Sequence, residues 1–399
     1  MKFSYLYIIF FFLTNHLEAD DLKIYNIGFL DIKEDMRYLK WGIHPVDIRS
    51  KLNKEKRPIQ GALLAIEDSE KFTRLTKTKF LIEHITKKNY EDAINFLNSK
   101  NVEKFETILL DLNLQSLKYF KNILKNNPKT IFFNISDPNN DIRKNICLDN
   151  FFNTYPSNAM YTDSIAQYLV KKKTQKSLLL TGPMVEDEKI SSSFKESARK
   201  FGIKIYKEKF FVNNNDPRVR DKNNLFYLTK GKKYNNVFVS DTDGEFALGV
   251  PNATMNPAIV SGSAGLIAKA WHWSYLRHGA PQLNGRFERM HNRRMESRDW
   301  AAWISIKTII ESILRIQNTS NKNIIEYLQG SNLQVDGSKG IGLNFKKKTN
   351  QLRQPILLIS ANNWTTKVAP LKEFNDSENN LNTLGISYNQ TKCKLESEE

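Results

Sequence analysis

Cysteine is scarce: Cys147 and Cys393 are the only two in 399 residues. Neither stands in a Cys-His spacing that would hold zinc, and no HExxH motif accompanies His272, His278 and His291. Acidic residues are also short, with 43 Asp and Glu against 60 Lys and Arg, so the chain carries a formal charge of +17. A nucleic-acid partner would fit that charge, but no aromatic-interleaved basic motif is present. The readings left are a Lys-, Asn- and Ile-rich compositional bias and an anionic ligand or acidic partner. Long apolar runs are missing too. The run from Phe3 to Leu13 is too short for a bilayer, and no later segment approaches the roughly 20 residues a membrane helix needs.

Catalytic signatures are equally sparse. The first strand runs into FLDIKED and not into a glycine-rich phosphate turn. Gly337, Gly340 and Gly342 are spaced wrongly for one, no Walker A lysine loop occurs, and SGSAG around Ser263 lacks the first glycine of a nucleophile elbow. Asp241, Asp243 and Glu245 resemble part of a calcium loop with its glycine misplaced. The expectation is a non-enzyme with no cofactor and no metal.

The N-terminus has Lys2, the short apolar run and small Ala19 before Asp20, which is the pattern of a secretory leader over residues 1–19 with cleavage after Ala19. An uncleaved anchor is the alternative. Export predicts a periplasmic, soluble mature chain. In an oxidising compartment an even cysteine pair invites a disulfide, and two unrelated thiols are the other reading. Bonded, the pair would close a loop worth about 4 to 5 kcal/mol.

Strand and helix then alternate. Strands are expected at 22–30, 78–85, 107–112 and 130–136, with helices from Pro58, at 90–99 and at 115–124 between and around them. After a break rich in Asp, Asn and Pro at 137–145 the pattern restarts. A short strand at 150–155 leads to a helix capped by Ser157, followed by strands at 176–181, 203–211 and 236–240. This pattern predicts parallel sheets covered by helices in two α/β lobes. In such sheets ligands bind beyond the carboxyl ends of the strands. That position selects Asp31, Asp111, Asn113, Ser136 and Asp137 in the first half and Asp241 and Asp243 in the second. Each is also an ordinary cap or turn residue.

Four of the six tryptophans fall between Val260 and Arg315. Trp303 keeps helical spacing with Ile306, Ile310 and Ile313 and reads as core. Trp271 and Trp273, with His272 between them, are either ligand platforms or core.

The segments IGFL, GALLAIED, NTYPSNAMYTDSIAQYLV and LLLTGP make the chain resemble type I periplasmic binding proteins of the branched-chain amino acid class. VFVSDTDGEFA, SGSAGLIAKAWHWSYLRHGAPQLNGRFER, RDWAAW, QLRQPILLIS and LNTLGISYNQTKC are similar to the branch associated with PQQ-dependent alcohol dehydrogenase systems. The resemblance implies two Rossmann-like lobes joined by three crossovers. Residues 20–137 and 245–317 would form lobe 1, residues 138–244 and 318–365 lobe 2, and residues 366–399 a tail on the surface. It also implies a disulfide between Cys147 and Cys393, a small-molecule solute held between the lobes, and a monomer that delivers it to an ABC permease in the inner membrane. Asp31, Asp111, Asn113, Ser136, Asp137, Asp241, Asp243, Trp271, His272 and Trp273 are the expected ligand-binding set. A sensor or accessory role in an alcohol dehydrogenase system is the rival expectation. The LDLNLQ and ISDPNN loops carry acids where amino-acid receptors of the class carry small hydroxyls, which argues against a plain branched-chain amino acid ligand.

Overall fold

The computed structural model describes residues 22–39, 57–114, 116–212, 217–231 and 233–393. The leader expected at 1–19 and the end of the tail, 394–399, lie outside the described residues.

The first sheet is built on β1 (Lys23–Ile32), whose run KIYNIGFLDI is buried from Ile27 onward because it has neighbours on both sides. It pairs in parallel with β2 (Thr78–Lys87) and β3 (Thr107–Leu110). The sheet continues through β4 (Ile131–Asn134) to β5 (Phe151–Asn153), in the order β2-β1-β3-β4-β5. Helices α1 (Ile59–Ser69), α2 (Tyr90–Leu97) and α3 (Leu117–Asn126) connect the strands. The short α4 (Asn140–Asn145) follows β4.

The second sheet has the order β7-β6-β8-β9, all parallel, from β6 (Lys176–Thr181), β7 (Lys204–Phe210), β8 (Asn236–Ser240) and β9 (Ile259–Gly262). It is served by α5 (Asn158–Lys171), α6 (Val185–Lys200) and α7 (Glu245–Ala253). Beside it, β10 (Ile267–Lys269), β14 (Ile356–Ile359) and β15 (Thr365–Ala369) form an antiparallel sheet. A second small sheet links β11 (Val335–Asp336), β12 (Gly342–Phe345) and β13 (Leu352–Arg353). The α/β architecture with two parallel sheets and three crossovers is therefore as the sequence led one to expect.

The packing moves the lobe boundaries. Phe151–Asn153, expected to open lobe 2, is the fifth strand of the first sheet. The polar break at 137–145 is a cap for that sheet and not a linker: the Asp137 carboxylate accepts from the Leu114 and Asn139 amides, and α4 turns Ile142 into the first core. Helix α7, expected in lobe 1, places Ala247 and Val250 among Leu178 and Val237 of the second sheet. Conversely, residues 321–353 belong with the first lobe. There α10 (Asn321–Gln329) buries Ile324 and Leu328, and Phe345 meets Phe152 with ring centroids 4.9 Å apart. The chain thus crosses between lobes near 154–157, 270–272 and 353–355.

Two further helices complete the first lobe, α8 (Ala280–His291) and α9 (Ser297–Ile316). The latter buries Trp300, Trp303, Ile306, Ile309, Ile310 and Ile313, the helical stripe read from the sequence. It lies so close to α1 that a Cβ on Gly61 would sit 2.0 Å from the Asp299 carbonyl oxygen. Strand β14 is shared: Leu357 and Ile359 join the first core while Leu358 joins the second.

The final segment is a strap. Thr365–Ala369, expected to belong partly to the tail, is the strand β15. Beyond it, the Leu371 amide donates to Gln167, the Gly385 amide to Asp163 and the Lys392 amide to the Lys144 carbonyl. The strap ends in the disulfide Cys147–Cys393, with Cα atoms 5.3 Å apart. Among the described residues no helix is long and apolar enough to cross a membrane.

Candidate functional site

Where β1, β3 and β4 end, the chain places a cluster of guanidinium and phenol groups. Directly after β1, Arg37 and Tyr38 lie in the short helix Met36–Leu39. Arg37 is fully occupied. Its Nε donates to both carboxylate oxygens of Asp35, its Nη1 to Ser136 Oγ at 2.9 Å, and its Nη2 to the carbonyl and carboxylate of Asp111 at 3.0 and 3.1 Å. Tyr38 donates to the other Asp111 oxygen at 2.8 Å. Asp31, at the end of β1, is held by Arg57 at 3.0 Å and by His84 at 2.8 Å.

Burial tends to push the Asp35 carboxyl up, but hydrogen bonds and charge from Arg37 outweigh it and the group is held below the usual range. Burial and the neighbouring Asp111 charge push the Tyr38 phenol well up, so it stays a donor.

Three guanidinium groups surround the Tyr38 ring. Arg57 lies 4.8 Å, Arg37 5.5 Å and Arg298 5.6 Å from its centroid. Arg298 differs from the other two. It stands in the first turn of α9, its Nε is buried without a hydrogen-bond partner, and no carboxylate among the described residues pairs with it. Its charge acts on Tyr38 and Asp111 and on Tyr155 in the first crossover. It also acts on Tyr161 in the first turn of α5, on the second lobe. The Tyr155 and Tyr161 rings meet edge to face at 6.2 Å. The cluster therefore reaches from the first lobe across the crossing to the second.

The expected site residues divide on this geometry. Asp111 and Ser136 are in the cluster, and Asp31 is at its edge through Arg57. Asn113 is exposed and Asp137 is spent on backbone caps. Asp241 also caps, accepting from the Ala247 amide, and burial raises its pKa. Asp243 is half-buried on the same loop.

Trp271 is a correction. It is 0 % exposed, stacks on Trp300 at 6.1 Å and donates Nε1–H to Asn284, so its ring is core and cannot be a ligand platform. His272 is buried against Ser274, which in turn bonds Thr365 of β15. Burial, with help from Lys269 and Arg294, lowers its pKa to about 4. Trp273 is half-buried under the Arg294 guanidinium at 3.8 Å. The WHW segment pins the second crossing.

Arg37, Tyr38, Arg57, Tyr155, Tyr161 and Arg298 were missed from the sequence. For Arg298 a signal existed: a cation in the first turn of a helix opposes the macrodipole, and such a residue needs a reason to be there.

No protein-family model and no curated protein matches the chain. Solved structures do. A branched chain amino acid ABC transporter periplasmic ligand-binding protein from Burkholderia xenovorans LB400 superposes with a TM-score of 0.65 at 10% identity, over 84% of this chain and 90% of that one. A solute binding protein from R. palustris, in complex with benzoate, has TM-score 0.65 and 12% identity over 93% and 99%. The branched-chain amino acid transporter substrate binding protein of Streptococcus pneumoniae, in complex with isoleucine, has 0.63 and 12% over 87% and 99%. The fold is that of type I periplasmic binding proteins.

Proposed function

We propose that the chain is the substrate-binding protein of an ABC importer, exported to the periplasm after cleavage at Ala19, that captures a small solute between its lobes and acts as a monomer. The observation that carries the reading is Arg298. It is a donor without an acceptor, anchored on the first lobe, whose charge reaches Tyr155 in the crossing and Tyr161 on the second lobe. A solute that contacts both sides favours closure by whatever extra contacts closure creates, and nothing else drives it. The segments VFVSDTDGEFA and SGSAGLIAKAWHWSYLRHG support an association with PQQ-dependent alcohol oxidation. The neighbours named above, with benzoate and isoleucine bound, support a small organic solute.

The test is native mass spectrometry of protein purified from periplasm, paired with small-angle scattering before and after removal of any bound solute. The expected result is a co-purifying small molecule and a radius of gyration that rises when it is removed. A sensor without a transport role would bind the solute equally well but would not cross-link to a permease.

A further inference from the structure

The carboxylates around Arg298 are committed to other groups. Asp35 takes both its oxygens to Arg37, Asp111 divides its oxygens between Arg37 and Tyr38, and Asp31 is held through Oδ2 by Arg57 and His84, with Oδ1 left unpartnered. Arg37 has Asp35, Ser136 and Asp111 as acceptors, so it is committed to the scaffold. Arg298 is the guanidinium in this cluster that no carboxylate among the described residues pairs with, and its buried Nε has no partner. A guanidinium Nε–H removed from water with no acceptor is costly, and the cost disappears when an oxyanion arrives in the planar two-oxygen geometry that Nε and its neighbouring Nη match. The walls near it are rings: Tyr38 at 5.6 Å, with Tyr155 and Tyr161 within reach of its charge.

From this geometry we infer that the solute is a small organic monocarboxylate without an α-ammonium group, its carboxylate held by Arg298 and its apolar body against Tyr38, Tyr155 and Tyr161. The exclusion of amino acids follows from the same accounting. An ammonium needs a carboxylate or carbonyl to accept from it, while the oxygens of Asp35 and Asp111 already hold Arg37 and Tyr38, and Asp31, whose Oδ1 has no partner, is already matched in charge by Arg57. A second cation brought beside Arg37, Arg57 and Arg298 would be repelled. The inference rests on the reading that a solute sits between the lobes.

The experiment uses the full-length mature protein, freed of bound solute by partial unfolding and refolding. Calorimetric and thermal-shift titrations employ acetate, butyrate, 3-methylbutyrate and phenylacetate, each beside its primary amide and its 2-amino derivative. The expected result is saturable binding of at least one acid, with its amide and amino derivative at least 10-fold weaker. Arg298→Gln should weaken that acid 100-fold or more while leaving the midpoint of the solute-free protein unchanged or raised. Arg298→Lys, which keeps the charge but loses the fork, should recover only part of the affinity. Three results overturn the inference: preference for the 2-amino derivatives or the amides, retained acid affinity in Arg298→Gln, or a marked fall in the solute-free midpoint of Arg298→Gln, which would reveal a partner within the chain. If no acid binds, the assignment also falls. In that case a co-purified non-acidic solute preserves the receptor reading, and the lack of any co-purified solute or closure removes both.

Discussion

Cutting the Cys147–Cys393 bond should cost the protein several kcal/mol, and the magnitude follows from its span. The two cysteines are 246 residues apart. Cross-linking residues that distant removes loop-closure entropy from the unfolded chain, which at this span amounts to about 5.5 kcal/mol at 25 °C in the chain-entropy model, a little above the roughly 4 to 5 expected from the sequence. In the native state little should change. The strap is independently held by the Gly385 amide on Asp163, by Lys200 Nζ on the Thr383 carbonyl at 2.8 Å and by Lys346 Nζ on the Leu384 carbonyl at 2.8 Å. Leu384 itself is buried against Met160 and Ile356. The effect should therefore appear in the unfolded state. The Cys147→Ser, Cys393→Ser double variant, which leaves no lone thiol, should lose about 5 kcal/mol in guanidinium unfolding. Its m-value should rise, since the unlinked chain exposes more surface. For 399 residues the corresponding fall in Tm is roughly 6 °C. A loss below about 1 kcal/mol with an unchanged m-value would refute the reasoning. If cleavage of the strap by protease rises while Tm holds, the bond fastens only the tail end, and the entropic account is wrong.

Three further outcomes can be checked independently. His272, lowered from 6.5 to about 4 by burial and by Lys269 and Arg294, binds its proton less readily folded than unfolded. Its contribution is thus complete above pH 6.5 and is lost as pH falls towards 4, by about 3 kcal/mol. Subtracting the pH–stability curve of His272→Asn from that of the wild type should give this profile, and parallel curves over that range would contradict it. Gly61→Ala should destabilise by about 2 kcal/mol in chemical unfolding, since the new methyl meets the Asp299 carbonyl and α1 must move off α9; an unchanged midpoint would mean that the two helices are not so close. Arg143, buried, donates to the Asp137, Asn139 and Tyr155 carbonyls and to Gln351. Arg143→Lys cannot satisfy all four, and a loss of about 3 kcal/mol is expected by the same measurement; stability equal to wild type would show that the clamp is dispensable.

The strands were legible because parallel sheets bury both faces. TILL, IFFN, KSLLLT and NVFVS are short apolar runs bounded by turns, and all four are central or doubly flanked strands. The crossings were not legible. A composition break suggested one at Asp137, but a parallel sheet's carboxyl edge is polar by necessity, since its loops and helix caps need Asp, Asn and Ser. The break marked a strand end inside a lobe. Trp271 misled for a related reason. Its position beside a crossing was right, yet an indole has two ways to be useful there, and only the tertiary partner, Trp300 at 6.1 Å, decides between them. Arg298 sits in the very helix whose Trp and Ile stripe announced it as core. One helix can serve both roles because Arg298 in its first turn lies over the Tyr38 ring while Asp299, next to it, packs on Gly61 of α1.

That division of α9 bears on how closure could be coupled to binding. Strand β14 packs Leu357 and Ile359 into one core and Leu358 into the other, so the lobes cannot separate there without exposing apolar surface on one side. The crossover at 154–157 is also fixed from below. Thr154 bonds Ser305 of α9 at 2.7 Å and receives Gln354 on its carbonyl, and Arg143 holds the Tyr155 carbonyl at 2.7 Å. Any motion between the lobes would then pivot about this base and be largest at the edge opposite it. Tyr155 lies on the pivot and Tyr161 one helical turn into the moving lobe. Rotation changes the distance from Arg298 to Tyr161 more than that to Tyr155. An anion on Arg298 would therefore sense the angle between the lobes chiefly through Tyr161.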